Sequence, residues 1–126
     1  MRINGQVDVE RARREARDSA RGAGLSSEST AEWTLVASEL ATNLLRHTPL
    51  GGTLRCYVED EPRRSLVIQA GDEGPGIASV SDAMVEGYST ASGLGGGLPT
   101  VKRFSDDLQI ETSPKGTLIT VRRWFP

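Results

Sequence analysis

Cysteine, histidine and long apolar runs are scarce in this chain, and each scarcity removes a class of protein. A single cysteine, Cys56, excludes an internal disulfide and suits a reducing compartment. No apolar run approaches the roughly 18 residues of a membrane span. Met1-Arg2-Ile3-Asn4 lacks the apolar segment of a secretion signal. Charge of one sign is not in excess: the formal charge of −2 gives no argument for nucleic acid or an anionic membrane as partner. The only histidine, His47, is followed by Thr-Pro, so the His-Arg-Asp loop of eukaryotic-type protein kinases is missing. There is no Gly-Lys pair, which excludes a P-loop. A dinucleotide fingerprint fails as well, because its third glycine, counted from Gly93 and Gly95, falls on Leu98. At 126 residues the expectation is one soluble, cytoplasmic domain with a single core.

Glycine is abundant, and it is clustered. Asp72-Glu73-Gly74-Pro75-Gly76-Ile77 is followed, after a short variable stretch, by Gly93-Leu94-Gly95-Gly96-Gly97-Leu98-Pro99. Glycine permits positive φ and lets main-chain N–H groups come close to a ligand. Successive inward-pointing N–H groups make a concavity for anions, phosphates above all. The reading is a nucleotide site built from loops.

In chain order, Arg2 to Val7 reads as a short edge strand, with Asp8 as N-cap of a helix over Val9 to Gly22. Alanines at 12, 16, 20 and 23 recur at helical spacing, and the arginines among them are balanced by Asp8, Glu10, Glu15 and Asp18, which indicates a solvated face. Gly22-Ala23-Gly24 ends that helix. Ser29-Thr30-Ala31-Glu32 reads as a capping box for a second helix, whose apolar stripe is Trp33, Val36, Ala37, Leu40, Ala41, Leu44 and Leu45. Glu39 and Asn43 sit one turn apart and flank this stripe. His47 reads as a cap at the helix end, and Trp33 and Trp124 as core or interface anchors.

A hairpin follows, with Leu54, Cys56 and Val58 on the apolar side of one strand and Leu66, Ile68 and Ala70 on that of the next. It delivers Asp72 just past a strand end, and Cys56 reads as a packed residue, not a reactive thiol. Ser79 or Ser81 begins a short helix to Glu86, and Gly87 to Gly97 is a long connection of the kind used as a lid. Pro99 suits the first turn of a third helix through Val101 and Phe104, which sets Gly95, Gly96 and Gly97 against a helix N-terminus. Strands over Leu108 to Thr112 and Thr117 to Arg123 close the chain.

Four pieces thus stand in order: Glu39 with Asn43 on a helix, Asp72-x-Gly74-x-Gly76 after a strand, Gly93-x-Gly95-x-Gly97 before a helix, and Gly116-Thr117 entering a strand. Together, from about Ser29 to Trp124, they resemble the ATP-binding site of the GHKL superfamily of gyrase, Hsp90, histidine-kinase catalytic domains and MutL. Ser38-Glu39-Leu40-Ala41-Thr42-Asn43, the Asp72 cluster, and Gly87-Tyr88-Ser89-Thr90 ahead of the second cluster are particularly similar to the bacterial anti-sigma and switch-protein serine kinases of the RsbT type.

The resemblance implies an α/β (α+β) two-layer sandwich, the Bergerat fold, with a mixed, mostly antiparallel sheet, helices on one face, and ATP beneath a lid around Tyr88 to Gly97. It implies that Asn43 ligates Mg²⁺, that Asp72 accepts a hydrogen bond from the adenine amino group, and that Gly74, Gly76 and Ile77 lie along the base. Gly93, Leu94, Gly95, Gly96, Gly97 and Leu98 would wrap the phosphates, and Thr117 would bond near Asp72. Glu39 is the implied catalytic carboxylate; Arg46, Lys102 and Arg103 are candidate cationic helpers or plain solvated charges. The implied substrate is a serine of a STAS-domain antagonist, and a released kinase of this kind activates a PP2C-type phosphatase. Two alternatives stay open: an anti-sigma factor kinase that sequesters a sigma factor, and a nucleotide-gated binding module without phosphotransfer. A detached histidine-kinase catalytic domain is disfavoured, because the one histidine sits at a helix end and no phosphoacceptor helix accompanies it.

Overall fold

The computed structural model describes residues 1–47, 51–73 and 97–126. The helix expected from Ser79 or Ser81 to Glu86, and the connection from Gly87 up to Gly96, lie outside the described residues. The elements are β1 (Arg2–Ile3), α1 (Gln6–Gly22), α2 (Ser27–His47), β2 (Gly52–Glu59), β3 (Ser65–Asp72), α3 (Leu98–Arg103), β4 (Asp107–Ser113) and β5 (Gly116–Trp124).

Helix starts depart from expectation for local reasons. The opening strand stops at Ile3 instead of reaching Val7, and Gly5, extended at φ −162° and ψ 166°, is the N-cap of α1. Asp8 is therefore the third residue of the helix. Its carboxylate reaches back to accept the Asn4 N–H at 3.0 Å, and that bond, with Arg11 at 3.3 Å, holds its pKa below the usual carboxylate value. At the other end Gly24 adopts φ +81°, and the Leu25 N–H closes on the Ala20 carbonyl at 3.1 Å, so Gly22-Ala23-Gly24 stops the helix as expected.

Helix α2 begins before the expected capping box. Ser26 Oγ accepts the Ser29 N–H at 3.1 Å, and the Ser26 carbonyl accepts that of Thr30 at 2.8 Å. Ser-Ser-Glu-Ser offers overlapping caps, and a long-range contact chooses between them: Arg123 on β5 takes the Ser29 hydroxyl at 3.0 Å and the Glu32 carboxylate at 2.9 Å.

The sheet order is β1-β2-β3-β5-β4, and every pairing among the described residues is antiparallel. Leu54, Ala70, Ile119 and Ile110 are in register and face the helices. They join Val9, Ala12, Ala16 and Ala20 of α1 and the Trp33-to-Leu44 stripe of α2 in one core. The small side chains of α1 let α2 and the sheet come close. On the opposite face Val67 is buried as well, in register with Tyr57 and with Arg122, whose guanidinium bonds Glu59 at 2.9 Å and Asp107 at 3.2 Å. Val58, expected inside, is 47% exposed. The β1 pairing ends at Leu54, so Val58 lies beyond it on the open edge of β2. Cys56 is packed as expected; burial, then the Glu15 charge, push its thiol up to about 12. Among the described residues no helix is long and apolar enough to cross a membrane.

Candidate functional site

Helical spacing puts Glu39 and Asn43 on one side of α2, and the fold brings Gly97 against both. A β-carbon placed on Gly97 would lie 2.6 Å from Glu39 Oε2, 3.3 Å from Glu39 Cβ and 3.4 Å from Asn43 Nδ2. Gly97 has an ordinary φ of −95°, so space, not backbone conformation, demands glycine here. Its carbonyl accepts the Val101 N–H at 3.1 Å at the start of α3, where Pro99 fits because the first turn needs no donor. Leu98 is fully buried in the core, so its side chain anchors the end of the glycine cluster and only its backbone remains for a ligand.

Asn43 is 8% exposed, and among the described residues its Nδ2 has no hydrogen-bond partner. A buried amide left unpaired costs about 1–3 kcal/mol, and native structures rarely keep one without a use. Among the described residues no cation pairs with the Glu39 carboxylate. Among the described residues, then, a carboxylate without a cation partner stands beside an amide nitrogen without an acceptor.

The second half of the site lies at the end of the sheet. Asp72 closes β3 in register with Thr117, the second residue of β5. Side chains alternate along a strand, so Asp72 and Thr117 face the same side as Ala70 and Ile119, toward the helices. Gly116 takes φ +152°, and a β-carbon there would collide with the Asp72 backbone oxygen, so only glycine brings the Ser113-to-Gly116 turn this close. Thr117 is 7% exposed, and its hydroxyl lies 2.9 Å from that of Thr112 on β4.

The two halves are joined through Leu44, the neighbour of Asn43. Its Cδ2 would be 2.7 Å from a β-carbon on Gly52, whose strand is paired with β3 at Gly71, next to Asp72. An open cleft of about 680 Å³ at this end of the sheet touches Asp72, Gly116 and Thr117, but Arg2, Thr53, Gly71, Glu111 and Leu118 also line it, and these alternate with the core residues and lie on the face away from the helices. Glu39 and Asn43 are not in its lining; the chain between Glu73 and Gly97 lies outside the described residues. Gly74, Gly76, Ile77, Gly93, Leu94, Gly95 and Gly96 belong to that segment. Arg46, Lys102 and Arg103 are exposed.

Two residues with long-range contacts carry no sequence motif: Thr112 beside Thr117, and Arg123 at the other end of β5, in register with Leu66. Arg123 bonds the Phe104 carbonyl at 3.1 Å as well as Ser29 and Glu32, so one guanidinium ties the end of α3 to the first turns of α2. The signal was an arginine in phase with Ile119 and Val121 on the helix-facing side of a strand. Thr112 likewise is in phase with Ile110 and in register with Thr117.

A family model described as the histidine kinase-like ATPase domain matches residues 5–123. Two solved folds superpose on the chain. The histidine kinase domain of the blue-light activated histidine kinase of Erythrobacter litoralis EL346 does so with a TM-score of 0.58 at 19% identity, over 80% of this chain and 46% of that one. The chain thus spans under half of that kinase's length. The mycobacterial sensor histidine kinase MprB gives 0.53 at 20% identity, over 74% of this chain and 70% of that one. A further relative is the serine/threonine-protein kinase RsbT of Bacillus subtilis (strain 168), 35% identical over 126 residues that cover 99% of this chain and 95% of that protein. The chain belongs to the histidine kinase-like ATPase family and, within it, to the RsbT-type serine/threonine kinases.

Proposed function

We propose that this protein is an ATP-dependent serine kinase of a partner-switching system, phosphorylating a serine on a STAS-domain antagonist and, once released, activating a PP2C-type phosphatase in the cytoplasm. The observation that carries the reading is the Glu39 carboxylate and the buried Asn43 amide, whose Nδ2 has no partner among the described residues, held together against Gly97. The name of the full-length relative supports the reaction class; the partners come from the resemblance in the motifs.

In this reading Glu39 orients the serine hydroxyl and accepts its proton as the oxygen attacks the γ-phosphorus and ADP departs, a contribution of roughly 10²–10⁴ in rate. Phosphoryl transfer otherwise rests on positioning and charge stabilisation. Mg²⁺ takes few protein oxygens, and the Asn43 side-chain oxygen would hold it; when bound it would neutralise phosphate charge. Asp72, an acceptor at a strand end, reads the adenine amino group. The remaining glycines of both clusters, with Ile77 and Leu94, complete the nucleotide contacts.

The test is transfer of γ-phosphate from labelled ATP to each STAS-domain protein of the same genome. Label on one serine supports the kinase. ATP binding without label on any of them would replace it with a nucleotide-gated binding module, and nucleotide-dependent capture of a sigma factor would favour the anti-sigma form.

A further inference from the structure

Asp72, Thr117 and Thr112 occupy one register line across β3, β5 and β4, all on the helix-facing side. Beyond the nucleotide reading above, on which this rests, we infer that Thr112 is a specificity-determining residue, fixing which way the Thr117 hydroxyl points at the base end of the site.

A threonine hydroxyl has one proton and two lone pairs, whereas an ionised carboxylate only accepts. The two hydroxyls are 2.9 Å apart, so one of the two protons is used between them. Either hydroxyl can donate across this pair; in the inferred arrangement Thr117 donates to Thr112, turns its lone pairs toward the site and, beside the acceptor-only Asp72, favours a base edge that donates. Adenine offers such an edge in its amino group. With that partner gone, the Thr117 proton is free to turn to an acceptor such as the guanine carbonyl. Thr117 is 7% exposed, so bulk water cannot easily replace the lost partner. The pair therefore works as a proton-direction setting for base choice, and Thr112 acts through Thr117 as a positioning residue.

The experiment is calorimetric titration of the full chain with ATP and with GTP, for wild type, Thr112→Val and Thr112→Ser. Valine keeps the shape and removes the hydroxyl; serine keeps the hydroxyl. One neutral hydrogen bond corresponds to about a fivefold change in affinity, so Thr112→Val is expected to lower the ATP-to-GTP affinity ratio by about that factor while Thr112→Ser retains it. A purely structural role would weaken both nucleotides together, and an unchanged ratio in Thr112→Val overturns the inference. An equal fall of the ratio in Thr112→Val and Thr112→Ser also overturns it, since the hydroxyl would then be irrelevant. A wild-type chain that binds no ATP overturns the nucleotide reading itself, an outcome distinct from either.

Discussion

Gly97→Ala is the most informative small change at this site. The added methyl carbon would stand 2.6 Å from Glu39 Oε2 and 3.3 Å from Glu39 Cβ. An unbonded carbon and oxygen prefer about 3.5 Å, so the carboxylate must retreat by about 1 Å. Glu39 is the far end of a flexible side chain, and moving it off its rotamer costs only about 1 kcal/mol. Removing a glycine at an ordinary backbone conformation returns about 0.4–1 kcal/mol through the unfolded chain. The two effects nearly cancel, so the thermal midpoint is expected within about 4 °C of wild type. Catalysis has no such compensation: misplacing a reacting group by an ångström costs on the order of 10²-fold. Steady-state phosphotransfer with circular dichroism melts on the same samples checks this. Wild-type turnover in a folded Gly97→Ala protein would refute the placement of Glu39 against the glycine cluster.

Asn43→Ala removes a buried amide whose Nδ2 has no partner among the described residues, so stability should hold within about 1 kcal/mol while Mg²⁺-dependent ATP binding falls at least tenfold by titration calorimetry. Retained Mg²⁺ dependence would contradict the assignment. Arg123→Ala strips three hydrogen bonds and leaves Glu32 unpaired at 25% side-chain exposure, a loss of about 2 kcal/mol in urea unfolding, and Arg123→Lys should recover less than half. Loss below about 0.5 kcal/mol would show the clamp to be ornamental. For Cys56 the folded pKa of about 12 lies above the ordinary thiol value near 9, so the folded state keeps the proton longer. Its contribution is complete below pH 9 and is lost as pH rises toward 12. Native protein at pH 8 should resist thiol reagents that label it at once in denaturant; rapid native labelling would contradict the packing.

The features readable from the sequence were those set by local spacing. Glu39 and Asn43 fall one turn apart whatever packs around them, and two strands with alternating apolar residues deliver Asp72 to a strand end. Pro99 marked the start of α3 for the same local reason. Caps were harder, because a serine-rich stretch offers several and Arg123, about ninety residues away in sequence, takes Ser29 and Glu32 for itself. Asp8 was misread as a cap because a carboxylate at the third helical position also accepts a backbone N–H at the helix start, here that of Asn4 ahead of the N-cap Gly5. Thr112 and Arg123 draw their meaning from register across the sheet, which one strand's pattern does not contain.

In the proposed function Glu39 does the chemistry at a nucleotide site it helps to frame. The most direct measurement pairs ATP affinity with single-turnover phosphotransfer for wild type and Glu39→Ala on the same STAS-domain substrate. For Glu39→Ala, ATP binding within about threefold of wild type and a loss of about 10²–10⁴ in transfer rate are expected. Transfer at the wild-type rate, or equal loss of binding and transfer, would contradict that role.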